Sequence, residues 1–189
     1  MAKRNKPIPI PSGVTIQQAD DKITVKGPLG ELQLKIHPTV NVKIENNMIT
    51  VTEKQPNSSM YVGTIQAHLK NMLKGVTVGF EKILEVRGMG YRAQKTKEGL
   101  QVHVGFIHPV DFTIPKEISV DIKQVPNPED TKEQMFEITL KGADKQLVGE
   151  IAAEIRATKP PDVYHGKGIR YKGEYVRKKA GKRAVATQA

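Results

Sequence analysis

Three sets of residues in this sequence have types and spacings that could do chemistry. The first is "GMGYRA" (Gly88–Ala93), placed behind the apolar run "KILEV". Its glycines fit the G-x-G-x-x-A loop that brings a helix N-terminus to a dinucleotide pyrophosphate. That chemistry needs a helix to begin at the glycines. The residues that follow, "QKTKEGLQVHV", alternate around a turn and predict another strand. Glycines that let two chains pass closely are the better reading. The second set, "GEYVRKKAGKR" (Gly173–Arg183), has the glycines and lysines of a phosphate loop. Gly173 and Gly181 stand eight apart where the loop needs five, and Arg183 replaces its magnesium-binding hydroxyl. The third set is the five histidines, His37, His68, His103, His108 and His165. They are scattered, with no H-E-x-x-H and no carboxylate at metal spacing. His37 and His108 each precede a proline, which suggests a shared turn and not catalysis. There is no Cys for a thiolate ligand, nucleophile or disulfide. No G-x-S-x-G elbow occurs, and no base, nucleophile and oxyanion set assembles. The sequence therefore predicts no enzyme, metal, cofactor or small-molecule substrate.

What the residues favour is a polyanion partner. The formal net charge is +10, and it is segregated. Residues 156–183 carry ten Lys/Arg against Asp162 and Glu174, a net +8, and Lys3, Arg4 and Lys6 add +3 at the other end. Residues 8–155 have 17 Lys/Arg against 18 Asp/Glu. A surface built only for solubility would intersperse its charges. Within "YHGKGIRYKGEYVRKKAGKR" (Tyr164–Arg183), Tyr164, His165, Tyr171 and Tyr175 lie among the cations. Tyrosine can stack on unpaired bases. Arg170 and Arg177 offer the flat fork that suits phosphate. Gly166, Gly168 and Gly173 remove bulk where backbone could approach a phosphate. A solvated charge run or localisation signal is the alternative, but it has little use for Ile169, Tyr171, Tyr175 and Val176 interleaved with the charges. The chemistry is directed at a nucleic-acid backbone, and no recognition helix is evident. Folded RNA fits it better than the DNA major groove.

The elements that must position this segment show in the hydrophobic period. Residues 14–53 alternate as half-buried strands, "VTIQQA", "KITVKG", "ELQLKI", "VNVKIE" and "MITVTE". Asp20-Asp21, Pro28-Leu29-Gly30 and Asn46-Asn47 punctuate them as turns, the last as a two-residue hairpin. A helix follows, capped by Asn57 or Ser58, with Val62, Ile65, Leu69, Met72 and Leu73 on its apolar face and an end near Gly75. The order then recurs. "GELQLKIHPTV" (30–40) is echoed by "GLQVHVGFIHPV" (99–110), "ITVTEKQ" (49–55) by "ITLKGAD" (138–144), and "VGTIQAHLKNM" (62–72) by "VGEIAAEIRAT" (148–158). The offsets are 71, 89 and 86, with the largest loop change around "QVPNPEDTKEQ" (124–134). The expected fold is α+β: two tandem duplicated domains, each an antiparallel sheet with one main helix, plus a basic C-terminal tail beginning after Pro160-Pro161. The predicted boundaries are an arm at 1–7, domains at 8–82 and 83–160, and a tail at 161–189. The basic N-terminus has no apolar region behind it, and no run approaches the ~18 apolar residues of a membrane span. A cytoplasmic, membrane-free location is expected.

The segment "KPPDVYHGKGIRYKGEYVRKKAGK" (159–182) resembles the C-terminal signature of the bacterial large-subunit ribosomal protein six family, with His165 where that family usually has Lys. "NKPIPIPSGV" (5–14), "KGPLGEL" (26–32) and "VRGMGYRA" (86–93) are similar to further motifs of the family, with Met89 a mild departure. The resemblance spans nearly the whole chain. It implies a structural protein of the large ribosomal subunit that holds large-subunit ribosomal RNA, near the sarcin–ricin loop and the stalk base where translation factors dock. Neighbouring ribosomal proteins are implied as partners. It further implies RNA contact by Lys159, Tyr164, Lys167, Gly168, Arg170, Tyr171, Lys172, Arg177, Lys178, Lys179, Lys182 and Arg183. Arg92 and Lys95, beside the domain junction, are weaker candidates and equally suit solvated strand positions. A non-ribosomal RNA- or DNA-binding module is the alternative reading.

Overall fold

In a computed structural model the described residues are 7–19, 21–45, 47–55, 58–97, 99–127 and 134–179. The chain divides into two compact units. One holds residues up to Phe80 together with Gly142–Leu147; the other holds Glu81–Lys141 and residues from Val148 onward.

In the first unit the alternating segments form β1 (Ile8–Pro9), β2 (Thr15–Ala19), β3 (Lys22–Gly27), β4 (Gly30–Lys35), β5 (Val40–Glu45) and β6 (Met48–Glu53), followed by helix α1 (Ser59–Thr77). They make two antiparallel sheets, β2-β3-β4 and β1-β6-β5, where the sequence suggested a single one. Glu45 faces Met48, so that hairpin closes over two residues as expected, and Gly27 faces Gly30, so the turn at Pro28-Leu29 does the same. Asn47 takes φ 62°, the left-handed region such a turn requires. The helix lays Val62, Ile65, Leu69, Met72, Leu73 and Val76 onto a core that includes Ile23, Val25, Val42, Ile49 and Val51. Each such side chain contributes about 1.5–3 kcal/mol by leaving water.

Two details of α1 differ from expectation. Ser58 occupies the cap position, but its hydroxyl donates to the carbonyls of Gln55 (2.6 Å) and Thr39 (3.3 Å) and accepts no helix N–H. Asn57 lies outside the described residues. The helix also runs through Gly75. That glycine is demanded by packing, since a Cβ there would stand 2.0 Å from the Ala143 carbonyl oxygen. The chain turns out only at Gly79, whose φ is +81°.

The second unit is built mainly from β7 (Phe80–Arg87), β8 (Arg92–Lys95), β9 (Gly99–His103), β10 (Val110–Thr113), β11 (Ile118–Pro126), β12 (Gln134–Gly142), helix α2 (Lys145–Thr158) and β13 (Gly168–Tyr171), of which Phe80, Gly142 and Lys145–Leu147 fall in the first. Its sheets are β8-β9-β10 and β11-β12-β7-β13, so two sheets again replace the one expected. The helix opens where Asp144 accepts the Gln146 N–H (2.8 Å) and closes ahead of Pro160. A strand, not a helix, follows Gly88–Ala93, which removes the dinucleotide reading.

The duplication is real, with one register corrected. The buried faces Val62, Ile65, Gln66, Leu69 and Val148, Ile151, Ala152, Ile155 match at the expected offset of 86. The β4–β9 echo does not hold, because β4 is an edge strand and β9 is the centre of its sheet. The pairs Val25↔Leu32 and Ile23↔Leu34 correspond to Val102↔Val110 and Leu100↔Phe112, which aligns β4 with β10. The residue matching His37 is then Pro115: Val40 N–H donates to the His37 carbonyl and Ile118 N–H to the Pro115 carbonyl, both at 3.0 Å. His37 instead stacks on Tyr61 (centroids 3.9 Å apart, 7° between planes), while His108 is exposed in a loop. Both β4 and β9 alternate and precede an Ile-His-Pro tripeptide, and a period of two does not say which strand of a sheet it belongs to.

Candidate nucleic-acid interface

The basic segment is organised by strand β13. It pairs antiparallel with β7, Gly168 facing Arg87 and Tyr171 facing Leu84. Ile169 is fully buried, which is what its position among charges foreshadowed. The pairing with β7 continues from Lys172 N–H to the Ile83 carbonyl, and Ile169 N–H donates to the carbonyl of Lys159, just beyond the end of α2. Residues expected as a tail are thus built into the sheet, at least through Tyr171. Asp162 closes a tight loop in front of the strand, accepting the Gly166 N–H on its carbonyl (2.8 Å) and the His165 N–H on its carboxylate (2.9 Å). That second bond holds the Asp162 carboxyl below its ordinary range. Behind the strand the chain turns back, and Lys179 N–H donates to the Val163 carbonyl (2.8 Å).

Arg170 is placed differently from the reading as an exposed phosphate fork. It is 8% exposed, and its Nε donates to Glu85 Oε2 (3.1 Å). Arg87 donates to the same oxygen through Nε (3.0 Å) and Nη2 (2.7 Å), and through Nη1 to Asn127 Oδ1 (3.3 Å). Glu85 gathers two guanidiniums under the sheet. It is a charged residue in an otherwise apolar run, and that was the available signal for it.

Gly168 has a packing role that its spacing did not reveal: a Cβ there would lie 2.6 Å from Pro161 Cα and 2.7 Å from the Pro160 carbonyl oxygen. Tyr171 is half-buried between the Lys82 ammonium, 5.4 Å from the ring centroid, and the Arg156 guanidinium at 5.6 Å. Cations therefore already occupy the surroundings of this ring. Arg156 in turn binds Glu174, Nε to Oε2 at 3.0 Å with a second contact from Nη2 to Oε1. That hydrogen bond lowers the Glu174 pKa and raises that of Arg156. Lys172 reaches Glu137 (2.9 Å), and this bond raises its pKa.

Of the remaining expected residues that the structure describes, several are exposed. Arg177, Lys178 and Lys179 are exposed, Tyr164 is 54% exposed, and Lys167 is half-buried. Lys159 is half-buried beneath the ring of Phe106. Arg92 and Lys95 are exposed at the two ends of β8. Lys182 and Arg183, and the N-terminal cations Lys3, Arg4 and Lys6, lie outside the described residues. An open groove of about 720 Å³ runs along the strand, with Arg87, Arg170, Lys172, Lys178 and Tyr175 among its lining. Tyr175, 87% exposed, is a flat ring at its edge that the residue-by-residue expectation left out. Among the described residues no cluster of three or more His, Asp or Glu could hold a metal, and no helix is long and apolar enough to cross a membrane.

A duplicated α+β chain with a cationic strand-anchored face is the class these features define, and comparison gives the family. The sequence matches the Ribosomal protein L6 family over residues 10–79 and 87–172, and the chain belongs to it. Similar curated proteins are the large ribosomal subunit protein uL6 of Acidithiobacillus ferrooxidans, 42% identical over 94% of this chain and 96% of that one, and of Halalkalibacterium halodurans, 44% identical over the same shares. That of Listeria monocytogenes is 45% identical over 94% of this chain and 95% of its own length.

Proposed function

We propose that this chain is a structural constituent of the large ribosomal subunit that binds and stabilises folded large-subunit ribosomal RNA. It performs no chemistry. The observation that carries the reading is a set of exposed cations, Arg177, Lys178 and Lys179 with Lys167 and Tyr164, on a segment pinned by β13. Pinning matters energetically, because a segment already ordered loses less entropy on meeting its RNA. Arg170, held by Glu85, supports this surface. The second domain supplies this face. The resemblance further favours a position near the sarcin–ricin loop and the stalk base, beside other subunit proteins and within reach of translation factors. Such a protein works in the cytoplasm on the ribosome.

Two measurements test this. The cellular protein should co-sediment with large subunits and leave only at high salt; a wholly ribosome-free pool would overturn the reading in favour of a free RNA-binding module. Replacing Arg177, Lys178 and Lys179 with Ala should flatten the slope of log K against log salt by roughly 0.7–0.9 for each phosphate that is no longer neutralised. An unchanged slope would remove these three from the interface.

A further inference from the structure

Two loops of the second unit leave large apolar side chains in water. Met89 is 71% exposed, Phe106 49% and Ile107 96%, although these are residue types that folds usually bury. The loops are braced against each other. The Tyr91 ring packs on Gly88, next to Met89, and lies 3.4 Å from where a side chain on Gly105, next to Phe106, would begin. Tyr91 N–H also donates to the Gly88 carbonyl (3.2 Å). The Lys159 ammonium stands 5.2 Å from the centroid of the Phe106 ring. Lys159 is itself fixed, since its carbonyl accepts the Ile169 N–H from β13 (2.8 Å).

Residues 87–93 and 103–110 hold no carboxylate. Arg92 is exposed there, whereas Arg87 is buried on Glu85. Asp111, just beyond, is engaged by Gln101 (2.8 Å). An apolar ring beside an ammonium, with the exposed Arg92 in the neighbouring loop, complements the two halves of a nucleotide, a flat base and a phosphate.

We propose that Phe106, with Lys159 beside it and Met89 and Ile107 flanking it, seats an unpaired base of the bound RNA. This rests on the RNA-binding reading above and adds a contact that charge does not make. The ring takes the base, the ammonium takes its phosphate, and the two aliphatic side chains cover the edges and exclude water.

The test uses the full chain and a transcript of large-subunit ribosomal RNA, titrated at several salt concentrations. Phe106→Leu keeps apolar bulk but loses the ring; it should lower affinity about 5- to 150-fold while leaving the salt slope unchanged. Phe106→Tyr should restore affinity. Lys159→Gln should flatten the slope by roughly 0.7–0.9. Ultraviolet crosslinking of the unmodified chain should join Phe106 to a nucleotide outside any duplex. If the parent binds and Phe106→Leu binds equally well, the inference fails while the RNA reading stands. If the parent does not bind, the RNA reading itself fails. If Phe106→Leu keeps its RNA affinity but loses a neighbouring protein from assembled subunits, the patch is a protein contact and the inference is overturned.

Discussion

Gly168→Ala is the substitution that most directly separates a glycine kept for packing from one kept for RNA. Gly168 opens β13 at φ +146°, and a Cβ would sit 2.6 Å from Pro161 Cα and 2.7 Å from the Pro160 carbonyl oxygen. Both are backbone atoms of a proline pair and have little room to swing aside. Two costs combine. Overpacking of this kind costs about 1–3 kcal/mol, and placing an L side chain at positive φ adds about 1–2 kcal/mol. The expected loss is therefore about 2–5 kcal/mol, a large share of the 5–15 kcal/mol that holds a typical domain together. Gly173 is the control: its φ is +82°, but a Cβ there meets nothing within 4 Å, so Gly173→Ala should cost only the backbone term, about 1–2 kcal/mol. Urea unfolding followed by circular dichroism measures both, and the chain has no Trp to complicate a parallel tyrosine-fluorescence readout. If Gly168→Ala is no less stable than Gly173→Ala, the packing argument is wrong. If it keeps full stability and loses RNA affinity, the glycine serves the approach of a phosphate after all.

Three more outcomes follow from the same geometry. Glu85→Ala takes away the carboxylate that Arg87 and Arg170 share and should cost about 3–5 kcal/mol in urea melts, whereas Lys172→Ala, which removes an exposed partner of Glu137, should leave the midpoint where it was. Gly149 lies inside α2, and a Cβ there meets nothing within 4 Å; Gly149→Ala should therefore stabilise the chain by about 0.5–1 kcal/mol, and a lower midpoint would show the site to be crowded. Glu174 is held below the carboxylate range by Arg156, so its stabilisation is present at neutral pH, fades as pH falls through the ordinary carboxylate range, and is lost below its lowered pKa. Glu174→Gln should accordingly be less stable than the parent near neutrality and converge with it in acid; a gap that stays constant across that range would count against the pair.

Much of the fold was legible because burial leaves a period. Alternation located β2 through β6, and the helical spacing of Val62, Ile65 and Leu69 recurred at Val148, Ile151 and Ile155. Periodicity could not say which strand was central, so "GLQVHV" was matched to an edge strand although it is the middle of β8-β9-β10. Nor could it reveal partners distant along the chain. Arg170 looks like a surface cation until β7 brings Glu85 beneath it from 85 residues away. Gly75 and Gly168 look like a terminator and an opening, yet each is fixed by a backbone atom of another segment. Tyr164, Arg177, Lys178 and Lys179 were legible as exposed groups because no nearby pattern offered to bury them.

Strand β13 has a consequence for the order in which the molecule matures. The second unit's larger sheet runs β11-β12-β7-β13, so β7 remains an open edge until Gly168–Tyr171 has been synthesised and has folded back. A nascent chain that stops short of this point leaves β7 able to pair with whatever strand it meets, and it lacks the platform that aims Arg177, Lys178 and Lys179. Covering the β7 edge and aiming the exposed cations are a single event, so an unfinished chain carries an open β7 edge in place of the cationic face.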